Sequence, residues 1–305
     1  MNKWCGMQAP VLITSRDDGA IRARAGSAAP DRVVLVHCSA SSARQWDALI
    51  GELAGFAAAA VDLYGHGKRQ RWHGDGALSL AHEAAAIWNM VPDNEPLHLV
   101  GHSYGGAVAL RFALSFPERL RSLTLIEPSS FHLLIDQTES HAHALGEIRT
   151  VAEAVNCAVL SGDYRGGMEV FIDYWGGTGS WRRMPEDKKA QFAGLAVQVA
   201  HHFWSLFGEA AALPACNDLH VPTLILCGAN SPAPSQLIAR LLADTIPHAR
   251  HRMIADANHM SPITHPARVN PLILEHLTRH RARHDMRPFG SPRFVAISGA
   301  AVRAL

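Results

Sequence analysis

The segment GHSYG at residues 101–105 has the pattern G-x-S-x-G, and its serine, Ser103, is the first candidate for chemistry. An apolar run at 97–100 precedes it, and a helical pattern of small residues at 105–116 follows it. In this strand-turn-helix context the pattern predicts a sharp turn that holds the hydroxyl above the edge of a sheet. Small flanking residues are needed because larger side chains would collide with neighbouring backbone. We therefore predict that Ser103 is a nucleophile, with a plain glycine turn as the alternative.

Three further motifs occur in register with this turn, and the four together resemble the α/β-hydrolase family. VHCS at 36–39 is similar to the family's His-Gly segment after its third strand, and DLYGHG at 62–67 to its Asp-x-x-Gly-x-Gly turn after the fourth. The serine turn follows the fifth strand, and ANHM at 257–260 forms a histidine loop after the last one. The resemblance covers roughly residues 10–284. It implies the α/β-hydrolase fold, a mostly parallel central sheet flanked by helices.

A base for Ser103 is required because a serine hydroxyl is a poor nucleophile at neutral pH. The chain has 19 histidines, and spacing alone does not single out one of them. The family's order along the chain, serine then acid then histidine, points to His259 in its turn-rich loop. The resemblance thus implies that His259 takes the proton from Ser103. The alternative for His259 is a solvated loop histidine.

The acid that orients this histidine has two candidate positions in the family. Many relatives carry an aspartate three residues after the glycine that closes the seventh strand, but here that position is Ser231, which cannot hold a negative charge. A subset carries the acid after the sixth strand, where this chain has Glu127 followed by Pro128. A carboxylate there is costly to bury without a partner, and His259 would be that partner. We predict Glu127 as the acid, with Asp256 as the alternative and a structural ion pair or helix cap as the other role for Glu127.

The oxyanion donors follow from the family's geometry, which implies the backbone N–H groups of Tyr104 and Ser39. Cys38 stands where the family usually has glycine, and its side chain narrows the conformations open to this loop. A reactive thiol at Cys38 is an alternative for which the sequence gives no sign of a lowered pKa. His37 and Asp62 are expected to be structural.

Short apolar runs without strict alternation are typical of strands buried on both faces of a parallel sheet. The predicted strands are 33–36, 57–61, 97–100, 123–126, 223–227 and 249–254, with two earlier ones at 11–14 and 20–24. Helical patterns lie between them, one of them over residues 46–53 with Ser41 or Ser42 as its N-cap. This alternation predicts a doubly wound α/β sheet.

The strand pattern disappears for about eighty residues after Pro128. Helical patterns at 147–160, 168–175 and 185–207 replace it. We predict a helical cap at 131–214, inserted after the family's sixth strand, with a hydrolase core at 1–130 and 215–284 and a poorly ordered tail at 285–305. Aromatic side chains of the cap either line a pocket above Ser103 or pack its core; they are Phe171, Tyr174, Trp175, His202, Phe203 and Trp204.

Dense histidine pairs raise the question of a metal site. The pairs are His141 with His143, His201 with His202, and His280 with His284. Metal sites need several ligands in a defined geometry, usually with carboxylate or cysteine partners, and solvated helix faces explain these pairs equally well. We therefore expect no metal, and the predicted chemistry needs no cofactor.

Composition limits the partners of the 305-residue chain. Its 28 Lys+Arg against 27 Asp+Glu give a formal net charge of +1. A charge this small gives no indication of binding to nucleic acid or to an anionic membrane surface. Its 48% hydrophobic residues can bury a large core, and no apolar run reaches the ~18 residues of a membrane-spanning helix. The first residues lack the apolar core of a secretory signal, and five scattered cysteines suit reduced thiols. These features predict a cytoplasmic protein that binds a small molecule.

The motifs and the resemblance together predict a serine-dependent hydrolase that acts on a small ester or related acyl substrate through an acyl-enzyme. Serine at the nucleophile position argues against the dehalogenase and epoxide hydrolase chemistry of the family, which begins with aspartate. Carbon–carbon bond hydrolase, lactonase, thioesterase and acyltransferase activities with the same triad stay open. The alternative from another class is a receptor that captures a small molecule without turnover.

Overall fold

A computed structural model describes residues 22–24, 31–91, 96–135, 138–210 and 212–282. Within these ranges seven strands form one sheet in the order β1-β3-β2-β4-β5-β6-β7. The strands are β1 Arg22–Arg24, β2 Arg32–Val36, β3 Ala57–Val61, β4 Leu97–His102, β5 Leu120–Ile126, β6 Thr223–Gly228 and β7 Arg250–Ile254. β1 pairs antiparallel with β3, and the other neighbours are parallel. The predicted fold class is thereby confirmed.

The predicted strands agree with the observed ones to within a few residues. Six apolar runs became β2 to β7, and the predicted strand at 20–24 is observed as the short β1. β5 is the strand that corresponds to the sixth of the family. The strand predicted at 11–14 and the tail at 285–305 lie outside the described residues.

Ten α-helices occur in the described part of the chain. They are α1 Asp47–Glu52, α2 Leu80–Met90, α3 Tyr104–Ser115, α4 Glu139–Ser161, α5 Tyr164–Gly176, α6 Glu186–Ala193, α7 Ala196–Phe207, α8 Ala233–Thr245, α9 Ser261–Thr264 and α10 Pro266–Arg279. Short 3₁₀ helices lie at Ala43–Trp46, Pro117–Arg119, Phe131–Leu134 and Leu213–Asp218. No described helix is both long and apolar enough to span a membrane.

The sheet is buried on both faces because alternate residues of each strand enter opposite layers. In β2, Val34 and Val36 join the core under α2, α3 and α8, whereas Val33 and Leu35 join the core under α1 and α10. Because both the odd and the even positions of a strand are buried, both are apolar, and the strands show no alternation of apolar and polar residues. The parallel register brings the carboxyl ends of β4, β5 and β6 to one edge, with His102 opposite Ile126 and Ile126 opposite Leu226.

Four helices, α4 to α7, separate β5 from β6, and we refer to residues 138–207 as the helical segment. The pattern at 185–207 predicted one helix, but the chain forms two, α6 and α7, because it breaks at Gly194 and Leu195. α7 is strongly amphipathic and buries Ala196, Val199 and Phe203 against the rest of the fold. α6 buries no side chain. The segment therefore meets the rest of the fold through α7 and through α4, which packs against α8.

Candidate active site

Ser103 lies in the turn between β4 and α3 with φ 57° and ψ −118°, a backbone conformation that L-residues seldom adopt. The two glycines of the motif allow this turn. A Cβ on Gly101 would lie 2.3 Å from the carbonyl oxygen of Gly105, and a Cβ on Gly105 would lie 2.3 Å from the carbonyl oxygen of His37. Both of these oxygens belong to the backbone, so they cannot move away without distorting the turn or the neighbouring strand. The pattern G-x-S-x-G is thus a packing requirement of this turn.

The turn is fixed by hydrogen bonds from the neighbouring strand and helix. The Ser103 N–H donates to the carbonyl of Ile126 at 2.9 Å. Its carbonyl accepts from the N–H groups of Ala107 at 3.0 Å and Ser129 at 3.1 Å. The Ser103 hydroxyl also lies 3.1 Å from the Ser129 hydroxyl. These contacts hold the side chain at the sheet edge, where it is 6% exposed.

The structure brings Ser103, His259 and Glu127 together, although they are far apart in the sequence. His259 Nε2 lies 2.8 Å from Ser103 Oγ, and His259 Nδ1 lies 2.8 Å from Glu127 Oε2. Glu127 follows β5, and His259 lies in the loop between β7 and α9. The side chains of His259 and Glu127 are both buried. The imidazole therefore bridges the hydroxyl and the carboxylate in the arrangement expected from the sequence.

Glu127 is held as a carboxylate by its surroundings. Its backbone has φ 44°, and its Oε1 accepts hydrogen bonds from the Gly228 N–H at 2.8 Å and the Ser231 hydroxyl at 2.7 Å. Burial alone would raise the pKa of Glu127, but the nearby His259 and these hydrogen bonds outweigh it and lower the pKa below its usual value. An ionised Glu127 requires a proton on His259 Nδ1. In the neutral ring Nε2 is then unprotonated and accepts a hydrogen bond from the Ser103 hydroxyl.

The two other acid positions have different roles. Ser231 occupies the position at which many relatives carry the acid, and here it donates to Glu127. Asp256 lies in a left-handed conformation with φ 56°, its side chain is 84% exposed, and its carboxylate is 3.6 Å from Arg268. The structure therefore places Glu127, and not Asp256, against the imidazole.

The predicted oxyanion donors belong to two elements next to Ser103, the start of α3 and the loop after β2. Tyr104 is the first residue of α3, so its N–H is one of the helix-start donors that have no partner within the helix. Ser39 lies in the loop after β2 and borders the same cavity as Ser103. Cys38 donates its N–H to Gln45 Oε1 at 3.1 Å, and burial raises the pKa of its thiol to about 12. Cys38 is therefore a neutral thiol in the loop after β2.

A chain of hydrogen bonds connects the loop after β2 with the loop that carries His259. Gln45 accepts from the Cys38 N–H, and its Nε2 lies 3.1 Å from His102 Nδ1. His102 Nε2 donates to the carbonyl of His259 at 2.8 Å, so Nδ1 accepts from Gln45. Burial and the neighbouring His259 lower the pKa of His102 to about 3, which keeps this ring neutral. The half-buried Gln45 and the buried His102 thus connect the two loops.

His202 of α7 contacts both residues that carry the predicted oxyanion donors. Its Nδ1 lies 2.6 Å from the Ser39 hydroxyl, and its ring stacks on Tyr104 with centroids 3.6 Å apart. Burial, together with His66 and His37, lowers the pKa of His202 well below its usual value. The neutral ring joins the helical segment directly to the sheet edge.

His37 and Asp62 have the structural positions expected of them. His37 Nε2 accepts from the Leu63 N–H at 3.1 Å, and burial lowers the pKa of the ring to about 3. Asp62 accepts from the N–H groups of Ala43 at 2.7 Å and Lys68 at 3.0 Å. Both side chains pin the loops that follow β2 and β3.

Two cavities meet at Ser103. The larger, which we call the outer cavity, has about 280 Å³, includes His259 in its wall, and is lined mainly by apolar side chains. The smaller, which we call the inner recess, has about 10 Å³ and lies between Ser129, Phe131 and α7. Four of the predicted aromatic residues line these cavities: Phe171 and Trp175 border both, and His202 and Phe203 border the recess. The other two do not: Tyr174 donates a hydrogen bond to Glu147, and Trp204 is exposed on α7.

The predicted histidine pairs do not converge with other ligands in the described residues. No three His, Cys, Asp or Glu side chains there are grouped as a metal site would require. His141 contacts Thr138, and the ring of His280 packs against that of His276. His284 lies outside the described residues.

Gln45 and Ser129 are site residues that the sequence did not reveal. Gln45 lies in a 3₁₀ turn far along the chain from His102, and no motif marks it. Ser129 follows Glu127 by two residues, and only that nearness to the acid could have drawn attention to it. The sequence offers a pocket position or a histidine pair for His202, but not its contact with Ser39, which spans 163 positions.

Comparisons with known proteins agree with this fold. The chain matches the family described as alpha/beta hydrolase fold over residues 31–266. It is 28% identical over 273 residues to the lipase LipV of Mycobacterium tuberculosis, which covers 83% of this chain and 96% of that protein. It is 26% identical over 207 residues to a poly(3-hydroxyalkanoate) depolymerase of Ectopseudomonas oleovorans, covering 64% and 66%.

Solved structures show the same fold. MGS-M2, an alpha/beta hydrolase from a deep-sea metagenome library of the Medee basin, matches with a TM-score of 0.70 at 14% identity, over 84% of this chain and 92% of that one. The family match spans most of the chain, from β2 to the start of α10, and includes every residue of the site. The chain belongs to the α/β-hydrolase fold family.

Proposed function

We propose that the protein is a serine hydrolase that cleaves a small ester or related acyl substrate through an acyl-enzyme. One observation carries this proposal: an unbroken path from Ser103 Oγ through the His259 ring to Glu127, with both steps 2.8 Å long. Nucleophile and base within this distance, and a carboxylate that orients the base, are the arrangement that activates a serine hydroxyl.

In the acylation step, Ser103 Oγ attacks the acyl carbon while its proton passes to His259 Nε2. The Glu127 carboxylate stabilises the imidazolium that forms. The N–H groups of Tyr104 and Ser39 donate to the oxyanion of the tetrahedral intermediate. When the intermediate collapses, the bond to the leaving oxygen breaks and His259 gives its proton to that oxygen. The acyl group is now an ester of Ser103.

In the deacylation step, His259 takes a proton from a water molecule as its oxygen attacks the acyl carbon. The Ser103 oxygen leaves, recovers a proton from His259, and the free acid is released. Every proton is handled by residues of this chain, so the proposed route needs no cofactor. The Cys38–Gln45–His102 hydrogen bonds keep the loop after β2, which carries Cys38 and Ser39, aligned with His259 through both steps.

An ester is the favoured substrate for two reasons. The wall of the outer cavity contains no Asp, Glu, Lys or Arg among the described residues, and most of it is apolar. Such a wall suits a neutral substrate. The names of the two relatives, a lipase and a poly(3-hydroxyalkanoate) depolymerase, are consistent with hydrolase chemistry.

The helical segment is proposed to be a cap over this site. In this proposal residues 131–214 form the cap, and 1–130 with 215–284 form the hydrolase core. Phe171 and Trp175 of α5, with His202 of α7, would cover the reaction from above. A cap that excludes water strengthens the hydrogen bonds to the oxyanion. The free state of the four described cysteines is consistent with the cytoplasmic location that we propose.

Covalent labelling with an alkyl fluorophosphonate tests the proposal. Ser103 Oγ would form a bond to phosphorus, fluoride would leave, and His259 would take the proton. We expect mass spectrometry to find the adduct on the peptide that contains Ser103. Ser103→Ala should abolish both labelling and hydrolysis of p-nitrophenyl acetate. Ser140→Ala, a change of an exposed serine on α4, is the matched control and should leave both unchanged.

The opposite results are equally informative. If several phosphonates leave the native protein unlabelled and no ester is hydrolysed, the pocket is that of a receptor and the proposal is wrong. If labelling occurs on Ser103 but only thioesters, lactones or carbon–carbon substrates turn over, the triad stands and the ester assignment fails.

A further inference from the structure

The two cavities at Ser103 differ in size and in their relation to the base. The outer cavity has about 280 Å³ and the inner recess about 10 Å³, which is room for roughly one water-sized group. His259 lines the outer cavity and is absent from the wall of the recess. The Ser103 hydroxyl therefore contacts both the imidazole, which lines the outer cavity, and the Ser129 hydroxyl, which lines the recess.

The recess is small because residues of the core close it. Val199, Phe203 and Leu206 of α7 are each no more than 3% exposed, and Phe131 is 1% exposed. The ring of Phe131 packs at 6.4 Å from that of Phe203. A packed core yields little to a larger ligand, since each displaced side chain loses its own contacts. The recess thus accepts a long chain only at the cost of core packing.

The reaction decides which half of an ester enters which cavity. His259 must protonate the leaving oxygen, so that oxygen has to lie within hydrogen-bond reach of Nε2. The alcohol half then extends into the outer cavity, on the side of His259. The acyl carbon is bonded to Ser103 Oγ, and the remaining space for its substituent is the inner recess. An ester placed the other way round would leave its alkoxide out of reach of the base.

We propose that the enzyme selects esters that join a short acyl group, of about acetyl size, to a bulky, uncharged, apolar alcohol. This inference rests on the proposed function. Apolar side chains such as Ile172, Met184, Phe192 and Ile263 provide the wall for the alcohol. The polar side chains in that wall, such as Ser41 and Ser180, are all uncharged serine, threonine or asparagine apart from His259.

Two isomeric nine-carbon esters test the inference on the native protein. Heptyl acetate has the short acyl group, and methyl octanoate has the same atoms with the chain on the acyl side. Because the two esters share one composition and nearly one polarity, their difference reports the position of the carbonyl. We expect kcat/KM for heptyl acetate to exceed that for methyl octanoate by at least about tenfold. An equal or larger value for methyl octanoate would overturn the inference and leave the hydrolase proposal intact.

Substitutions then connect the preference with the recess. Leu206→Ala enlarges the recess, and we expect it to raise the ratio of heptyl butanoate to heptyl acetate turnover by about tenfold. Ile263→Ala, in the outer cavity, is the matched control and should leave this ratio within about twofold because the heptyl group is common to both esters. An unchanged ratio in a folded Leu206→Ala would also contradict the inference. If that variant does not fold, the isomer comparison on the native protein still decides. Hydrolysis of neither isomer, with no labelling of Ser103, would instead reject the proposed function itself.

Discussion

The sheet edge and the helical segment contribute to the site in different ways. At the edge, the backbone itself is specialised: Ser103 and Glu127 both have positive φ, and the glycines beside Ser103 have no room for a Cβ. In the helical segment, the regular helices α5 and α7 reach the site mainly through side chains such as Phe171, Trp175 and His202. We infer that the proposed chemistry depends on main-chain geometry at the edge, whereas the fit of the substrate depends on side-chain packing in the segment. Changes at the edge should affect turnover and folding, and changes in the segment should affect selectivity.

The largest effect is expected for Glu127→Gln. An amide in this position cannot stabilise the imidazolium, and it offers Nδ1 no negative charge, so kcat should fall by about a thousandfold or more. KM should change much less, because Glu127 lines neither cavity. Steady-state hydrolysis of heptyl acetate measures both constants.

Asp256→Asn is the control for this change, since Asp256 is the other carboxylate near His259 in the sequence. Its side chain is 84% exposed and faces Arg268, so its loss should leave kcat within about twofold. A fall in Asp256→Asn that matches that of Glu127→Gln would contradict the assigned acid.

Two glycine substitutions compare the regions directly. Gly105→Ala drives a Cβ to within 2.3 Å of the His37 carbonyl oxygen and 2.6 Å of that of Val36, so it should lower the free energy of unfolding by about 2 to 3 kcal/mol. Gly146→Ala, on the exposed face of α4 with no atom within 4 Å, should raise it by about 0.5 to 1 kcal/mol. Urea unfolding of both variants measures the difference. Equal effects would refute the contrast between edge and segment.

Acid should unfold the protein through histidines buried in and around the sheet. Burial lowers the pKa of His37 and His102 to about 3 and of His66, His98 and His276 to about 4. The unfolded chain binds protons at these groups below about pH 6.5, so their contribution to stability is complete above that pH and is lost as the pH falls toward 3–4.

One buried carboxyl acts in the opposite direction. Burial raises the pKa of Glu83 to about 7, which lowers stability as the pH rises from about 4.5 to 7. The stability lost through the five histidines on acidification exceeds the stability gained through one carboxyl, so the Tm should fall steeply below pH 6. Thermal unfolding by circular dichroism between pH 7.5 and 4.5 checks this. A constant Tm over that range would show that these rings are charged in the folded state.

The smallest effect is expected for Ser231→Ala. It removes the 2.7 Å hydrogen bond to Glu127 Oε1 but leaves the Gly228 N–H in place, so kcat should fall by about three- to tenfold. Loss of this donor should also raise the pKa of Glu127, which moves the acid limb of the pH–kcat profile upward. Ser161→Ala on the exposed end of α4 provides the comparison. An unshifted acid limb would mean that Ser231 only fills space.

The sequence predicted those features of the site for which the geometry admits a single type of residue. The glycines around Ser103 predicted the turn because nothing larger fits beside the backbone of β2, and a carboxylate after an apolar strand predicted a buried partner. Gln45 and His202 gave no such signal, because their roles depend on partners 57 and 163 positions away. The break between α6 and α7 was missed since the apolar pattern continues across Gly194.

The hydrogen bond from Ser231 to Glu127 has a consequence for how such sites change over generations. Two places on adjacent strands meet beside His259: Glu127 at the end of β5 contacts the imidazole, and Ser231 in the loop after β6 contacts the same carboxylate. A lineage can therefore relocate its negative charge from one to the other without rebuilding the nucleophile or the base. The same convergence offers a designer an interchange: Glu127→Ser together with Ser231→Asp would transfer the charge to the neighbouring loop while the donor and acceptor trade places.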